Sequence, residues 1–316
     1  MKFRTQINPI EFPFKLNFED PIVLWGSCFT NNIGEILCNH YLDVSYNPFG
    51  IVFNPYSIKN QIFSCLKEEL QEDLIFQKGE NFYSFQFGTK YFATSKQAFL
   101  NKTLKSCREI KAKLLSAQCL VITLGTSWVY DAIKLQQTVA SCHKIPQKEF
   151  SKKLHSVSEI QYELLELLNE LNKFNPNLKF IFTISPVRHI KDGIVENSLS
   201  KARLIEAVHS ITNTVENAFY FPAYEIFMDD LRDYRFYGED LVHPSKQGIN
   251  YVWEIFKNSL FEVKDFQMLN ILRSYHTAVN HQPMINNLFE EKKHKEFISK
   301  TKRELLSQAP FLENRL

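Results

Sequence analysis

At 316 residues, of which 44% are hydrophobic, the chain is long enough to bury a sizeable core in one large domain or two small ones. Its 37 basic and 35 acidic residues leave a formal net charge of +2, which argues against the basic surface of a nucleic-acid-binding protein. The first residues lack the apolar segment of a secretory signal, and no run approaches the roughly 18 apolar residues that span a bilayer. We therefore expect a cytoplasmic protein without nucleic-acid or membrane partners, and the oligomeric state stays open.

The first predicted elements are a buried strand and a helix joined by a sharp corner. Residues 22–25 form the apolar run of the strand, Gly26 permits the turn, and residues 30–32 offer caps for the helix. Ser27 and Cys28 lie at the corner itself. A small nucleophilic side chain there is exposed above the sheet edge, where the helix N-terminus stabilises an anion. The stretch therefore predicts an acyl-transfer site.

The next elements continue an alternation of helices and strands. Two Asn-Pro steps make residues 47–55 an ordered non-helical loop, and a helix follows over 55–70. The ring-rich segment 73–94 predicts an inserted β-hairpin, and residues 95–117 predict another helix. A second apolar strand, 119–125, ends at a glycine as the first does, and a polar extended segment follows it.

The rest of the chain repeats this order, with strands predicted at 179–186 and 217–224 and helices at 158–174, 197–217 and 245–260. Such alternation predicts an α/β fold in three layers, α/β/α, around a mainly parallel sheet, where ligands gather at the carboxyl ends of the strands. We expect this α/β domain over residues 1–262. Residues 263–316 carry a helical, charged pattern and predict a C-terminal extension packed on that domain.

Asp240 and His243 lie in the loop before the last core helix. A general base must come within hydrogen-bond reach of its nucleophile, and an aspartate three residues upstream can hold the imidazole Nδ1–H so that Nε2 faces the nucleophile. The D-x-x-H spacing alone is a weak signal. Combined with the nucleophile corner, it predicts a Cys-His-Asp or Ser-His-Asp triad.

Successive segments read WGSCFTNNIG, NPFGIVFNP, TLGTSWVY, SPVRHIKDG, NSLSKARL, YFPAYEIFMDDLRDYRFY and DLVHPS. They resemble the signatures of the GSCFA-domain family, bacterial relatives of the SGNH/GDSL hydrolase superfamily. The resemblance extends from about residue 20 to the C-terminal helices. It implies the superfamily's flavodoxin-like fold and its ester-hydrolysing or acyl-transferring chemistry.

The superfamily's first motif, G-D-S-L, falls on the corner. In that register Cys28 occupies the nucleophile position and Ser27 replaces the aspartate, while the D-x-x-H motif is intact at Asp240 and His243. A helix N-terminus and a histidine partner both lower a cysteine pKa, which favours Cys28. Ser27 remains the alternative nucleophile. The plain alternative for this corner is that Cys28 is a buried small residue and Ser27 a helix cap.

The other motifs imply substrate-binding residues. The resemblance places an oxyanion glycine at Gly50, and Asn54 lies in the same loop. The G-x-N-D motif falls on Gly125, Thr126 and Ser127, so that a hydroxyl replaces its amide donor.

Three further candidates follow the second and third strands. His143 either reaches the site or lies in a solvated loop. Arg188 and His189 either bind an anionic substrate or orient the triad loop. The plain alternative for Arg188 is an ion pair with the acidic residues of segment 229–233.

Metal and cofactor signatures are missing from the sequence. No His, Cys, Asp or Glu cluster has metal-ligand spacing, glycine-rich phosphate loops are absent, and the six cysteines form no C-x-x-C pair. We therefore expect reduced thiols and neither metal nor cofactor.

These features predict an SGNH-type ester or thioester hydrolase or acyltransferase. The expected substrate is a small-molecule or glycan ester, with an O-acylated carbohydrate preferred. The alternative is a catalytically inactive SGNH-fold protein that binds carbohydrate or a partner, which the altered first and third motifs favour. A papain-like cysteine peptidase is disfavoured by the strand-helix alternation.

Overall fold

The computed structural model of the protein describes residues 4–281 and 288–316. The strands are β1 (Ile22–Gly26), β2 (Val44–Tyr46), β3 (Ile75–Lys78), β4 (Asn81–Ser84), β5 (Cys119–Leu124), β6 (Trp128–Ala132), β7 (Gln137–Val139), β8 (Phe150–Leu154), β9 (Lys179–Ile184) and β10 (Ala218–Tyr220). The helices are α1 (Cys28–Asn39), α2 (Pro55–Lys67), α3 (Lys96–Ser116), α4 (Val157–Phe174), α5 (Ile194–Thr212), α6 (Ala223–Glu225), α7 (Lys246–Leu260), α8 (Phe266–Asn280) and α9 (Leu288–Gln308).

Five parallel strands form the central sheet in the order β2-β1-β5-β9-β10. Numbered among themselves along the chain, these strands run 2-1-3-4-5, the order of flavodoxin-like folds. The predicted α/β fold with a mainly parallel sheet is therefore confirmed. The edge strand β2 was not predicted, because its three half-buried residues are too few to show a pattern.

Helices cover both faces of the sheet and complete the three layers. Along β1, Val23 and Trp25 pack into a core formed with α2, α3, α4 and α5. Ile22 and Leu24 point to the opposite face and pack with α1, α7 and α8. Successive residues of a strand face opposite sides, so a strand buried on both faces appears in the sequence as an unbroken apolar run.

Two small antiparallel sheets are inserted between these elements. The predicted hairpin is present as β3 and β4. The segment after β5, which we expected to be extended and polar, forms a three-stranded sheet in the order β7-β6-β8. The pairing of β6 with β8 joins residues up to 26 positions apart, such as Trp128 with Leu154, so the local pattern could not show the whole sheet.

The C-terminal helices α8 and α9 pack together on the α/β core. Phe18 and Tyr41 contact the cluster that contains Leu272 and Leu305, and Arg315 Nη1 donates to the Phe18 carbonyl at 2.8 Å. Residues 282–287 of the predicted helical extension lie outside the described residues. Within the described ranges, no helix has both the length and the apolar character needed to cross a membrane.

Candidate active site

Gly26 makes the corner between β1 and α1 possible. Its φ is +136°, and a Cβ at this position would lie 2.1 Å from the carbonyl oxygen of Thr123 in β5. No side chain fits in that space, and few L-residues adopt that backbone conformation. The Gly26 N–H donates to Asn47 Oδ1 at 2.7 Å, which ties the corner to the loop after β2. The chain therefore turns at once, and α1 begins at Cys28.

Ser27 is the N-cap of α1. Its side chain is buried, and its Oγ accepts a hydrogen bond from the Phe29 N–H at 3.3 Å. The expected cap at residues 30–32 is wrong, because the turn at Gly26 starts the helix three residues earlier. Thr30 instead donates from its hydroxyl to Thr123 Oγ1 at 2.9 Å. Ser27 thus has a structural partner for its hydroxyl.

Cys28 is the first residue of α1 and is partly buried. Its side chain lines a small apolar cavity of about 20 Å³, room for a single water molecule, together with residues 185–187 after β9 and Pro244. Burial raises the pKa of the Cys28 thiol, and the opposing effects of its own backbone N–H and the Lys90 charge are smaller. The expected lowering of this pKa is therefore wrong. Near neutral pH Cys28 is a thiol and needs a base to become a nucleophile.

Asp240 and His243 form a bonded pair in the loop before α7. His243 Nδ1 lies 2.6 Å from Asp240 Oδ2, and Asp240 Oδ1 accepts the N–H groups of Val242 at 3.0 Å and His243 at 2.9 Å. The hydrogen bonds from the His243 N–H, the His243 ring and the Val242 N–H lower the pKa of Asp240 to about 2. The carboxylate is therefore charged at neutral pH. It orients the imidazole with Nε2 pointing away from the aspartate.

The Cys28 cavity borders the loop that carries this pair. Pro244, which follows His243, lines the cavity with Cys28. Among the described residues no hydrogen bond joins Cys28 Sγ to His243 Nε2, and both side chains of the Asp240–His243 pair are about half exposed, at 53% and 52%. The structure thus brings the loop to the cavity without closing the contact between the two atoms.

Two predicted oxyanion donors are already occupied. The Gly50 N–H donates to the Asn47 carbonyl at 2.9 Å, and Gly50 serves as a point of close approach to the backbone of Gly88. Ser127 is fully buried, its N–H donates to Ser200 Oγ at 2.8 Å, and its Oγ donates to the Ser200 carbonyl at 3.2 Å. The interpretation of Gly50 and Ser127 as donors to a substrate is therefore corrected, since their N–H and O–H groups have partners within the fold.

Gly125, Thr126 and Asn54, which we predicted beside these two donors, connect loops at the ends of the strands. The Gly125 N–H donates to the Phe53 carbonyl at 2.7 Å, and a Cβ on Gly125 would lie 2.8 Å from the Phe53 side chain. Thr126 Oγ1 is buried 3.0 Å from Ser200 Oγ. Asn54 caps α2 by accepting the Ser57 N–H at 2.8 Å. These contacts connect the loop after β2 to the end of β5.

His189 lies over the same junction. Its ring centroid is 4.7 Å from that of Phe53, and its Nε2 would lie 3.3 Å from a Cβ on Gly125. Burial, and next the charge of Lys201, lower the pKa of His189 to about 4. The imidazole is therefore neutral near pH 7, and the structure places it beside Gly125 at the end of β5.

His143 lies outside this group. Its Nε2 is 2.8 Å from the Ser84 carbonyl oxygen, and its ring packs against Phe76 and Tyr83 of the hairpin. The side chain is buried, so the solvated-loop interpretation is wrong. The contacts of His143 instead attach its segment to β3 and β4.

Lys201 is a residue of this region that the sequence reasoning missed. It is fully buried in α5, and its Nζ donates at 2.6 Å to the carbonyls of both Gly125 and Ser185. It therefore links the residues that follow β5 and β9. The signal was present, because Lys201 precedes Leu204, Val208 and Ile211 at helical spacing on the buried face of α5.

Replacing Lys201 with methionine is expected to flatten the dependence of stability on pH. Burial lowers the pKa of Lys201 to about 7 from its ordinary 10.5, so between these values the unfolded chain holds a proton that the folded chain lacks. Stability contributed by this group then rises with pH across that window. The free energy of unfolding in urea should be measured between about pH 8 and pH 10. For the wild-type protein it should rise with pH more steeply than for Lys201→Met, by about 1.4 kcal/mol per pH unit. Equal slopes would mean that the two carbonyls keep the ammonium charged.

The described part of the chain offers no metal site. No three His, Cys, Asp or Glu side chains within it lie close enough together to hold an ion.

The sequence matches the GSCFA family over residues 21–256. No curated protein matches it. Similar solved structures include a family two carbohydrate esterase from Clostridium thermocellum in complex with cellohexaose, at 12% identity and a TM-score of 0.37, covering 81% of this chain and 66% of that one. Another is a Clostridium thermocellum family 3 carbohydrate esterase, at 9% identity and a TM-score of 0.35, covering 81% of this chain and 99% of that one.

An acetyl xylan esterase from the rumen bacterium Butyrivibrio proteoclasticus is similar at 9% identity and a TM-score of 0.36, covering 82% of this chain and 65% of that one. The chain thus spans slightly less than two thirds of the first and third of these proteins.

Proposed function

The chain belongs to the GSCFA family, and from this premise we propose that it is an SGNH-type hydrolase or acyltransferase that attacks an ester or thioester carbonyl through Cys28, His243 and Asp240. The observation that carries the proposal is the Asp240–His243 pair, joined at 2.6 Å, in the loop that borders the Cys28 cavity. The substrate class, a small-molecule or glycan ester such as an O-acylated carbohydrate, rests on the family resemblance alone.

The proposed reaction begins with activation of the thiol. His243 Nε2 takes the proton of Cys28 as the sulfur attacks the carbonyl carbon, which is required because burial raises the pKa of Cys28. The tetrahedral intermediate collapses as His243 returns the proton to the leaving alcohol or thiol, leaving an acyl-cysteine. His243 then deprotonates water or an acceptor hydroxyl, whose attack releases the acyl group and restores the thiol.

The negative charge of the tetrahedral intermediate needs donors other than Gly50 and Ser127. The N–H of Cys28 lies at the start of α1, where a backbone N–H has no partner within the helix. Asn32, one turn further along, lines the same cavity and carries an amide donor. We propose these two groups as the oxyanion donors, in line with the stabilising role of a helix N-terminus.

Rapid mixing with p-nitrophenyl acetate tests the proposal. The expected result is a burst of one equivalent of p-nitrophenol per protein, with one acetyl group found by mass spectrometry on the peptide that contains Cys28. His243→Ala is the matched variant and should lose the burst while keeping the fold, because the His243 side chain is half exposed. Acetylation elsewhere, or no burst, would exclude the Cys28 mechanism.

A catalytically inactive binding protein is the second candidate. The lack of a hydrogen bond between Cys28 Sγ and His243 Nε2 in the described part of the chain, and the occupied N–H groups of Gly50 and Ser127, favour it. It predicts that neither the wild-type protein nor any variant at Cys28 reacts with the activated ester.

A further inference from the structure

A groove adjoins the Cys28 cavity at the His243 loop. Its volume is about 500 Å³, within the range of roughly 300–1,000 Å³ of small-ligand sites. Val242 lines this groove whereas Pro244 lines the Cys28 cavity, and Phe227 lines both. His243 therefore lies at the border between the two spaces.

The walls of the groove are largely apolar and open to solvent. Ile190 is 54% exposed, Ile194 68%, Tyr234 71% and Leu241 56%. Contiguous apolar side chains at a surface mark ligand or partner sites more often than isolated ones do. Three of these four side chains, those of Ile190, Ile194 and Leu241, are aliphatic, and aliphatic side chains suit an acyl or alkyl segment better than a neutral sugar.

Arg188 is the cation of this groove that has no carboxylate partner. Its Nη2 donates to Met228 Sδ at 3.1 Å, and a thioether is a weak acceptor. The ion pair that we considered for Arg188 with the acidic segment is absent from the described residues. The carboxylates of that segment bind other arginines, with Asp229 to Arg232 at 2.7 Å, Asp230 to Arg4 at 3.3 Å and Asp233 to Arg235 at 2.8 Å.

The charges around Arg188 leave room for a negative ligand. Its side chain is only partly exposed, and a guanidinium presents five donors that lose water when a ligand enters. Lys201, fully buried in α5, is close enough for Arg188 to oppose its protonation, and in neither protonation state does it supply a negative charge to Arg188. A partly buried cation without an anion is costly, and a carboxylate or phosphate pairs with guanidinium in a bidentate geometry.

We propose that the groove binds the apolar segment of the substrate and that Arg188 binds an acidic group, carboxylate or phosphate, on that segment. The placement of the ester at Cys28 rests on the proposed function. The binding of an aliphatic chain that carries an acidic group does not. The inference narrows the substrate class to anionic esters with an aliphatic portion.

Calorimetric titration of the 316-residue chain with three probes tests the binding. Octanoate and octyl phosphate carry the two acidic groups on the same chain, and 1-octanol carries the chain alone. We expect at least one anion to bind about 10- to 100-fold more tightly than 1-octanol, as charge-assisted hydrogen bonds imply. Arg188→Met should remove that advantage, and Arg188→Lys should keep part of it.

Arg232→Met is the matched control. Arg232 lines the same groove but is 69% exposed and paired with Asp229, so its loss should change the affinity less than twofold, a small effect for an exposed ion pair.

Equal binding of the three probes, equal losses in Arg188→Met and Arg232→Met, or no binding at millimolar concentration would overturn the inference. Thermal unfolding of each variant checks the fold. If octanoate binding depends on Arg188 while the p-nitrophenyl acetate burst is missing, the proposed chemistry fails and the binding site stands.

Discussion

Cys28→Ala is expected to lower the turnover of an activated ester by at least about 10⁴-fold, the scale of losses seen when a covalent nucleophile is removed. The cavity lined by Cys28 borders the His243 loop, and the thiol is the group that we propose as the nucleophile at that cavity. Two hydroxyls lie near it, but Ser27 Oγ accepts the Phe29 N–H and Ser185 Oγ accepts the Val187 N–H, each at 3.3 Å, so we expect neither to replace the thiol. Steady-state and burst kinetics with p-nitrophenyl acetate give the measurement.

Ser27→Ala is the control from the same corner. The substitution removes the N-cap of α1, so it should cost about 1 kcal/mol of stability and leave the burst amplitude unchanged. A change of kcat within about tenfold would fit a cap that positions its neighbour. If Ser27→Ala abolishes the burst and Cys28→Ala retains it, Ser27 is the nucleophile. Equal activity in both variants would contradict the whole assignment.

Gly26→Ala is expected to destabilise the protein by more than about 4 kcal/mol or to prevent folding, an effect reserved for severe clashes and strain. The new Cβ would lie 2.1 Å from the Thr123 oxygen and 2.9 Å from two further backbone atoms of that residue. Thr123 pairs with Gly26 in the sheet, so it cannot withdraw without breaking the β1–β5 pairing. Urea denaturation measures the loss.

Gly79→Ala separates the clash from the backbone strain. Gly79 also has a positive φ, +61°, but nothing lies within 4 Å of a Cβ built there. Only the left-handed conformation then opposes the substitution, and we expect a cost of about 1 kcal/mol. Free energies of unfolding for Gly26→Ala and Gly79→Ala that differ by less than about 1 kcal/mol would show that β5 tolerates a side chain at the corner.

The sequence alone determined the three central strands of the main sheet and the Asp240–His243 pair. Strands β1, β5 and β9 are buried on both faces, so each is an unbroken apolar run. The histidine and aspartate lie three residues apart in one turn, and that spacing is enough to bring Nδ1 to the carboxylate. Both features depend on neighbours along the chain, which a sequence displays directly.

Only the tertiary structure decided which polar groups are free. The N–H of Ser127 donates to Ser200, 73 positions away. The thiol of Cys28 is desolvated by residues that follow β9 and by residues before and within α7. Among the described residues Arg188 has no carboxylate partner, because the acidic residues expected to pair with it bind other arginines. Hydrogen-bond partners and desolvation come from groups remote in sequence. The corner at Gly26 was therefore predictable, but the state of the thiol beside it was not.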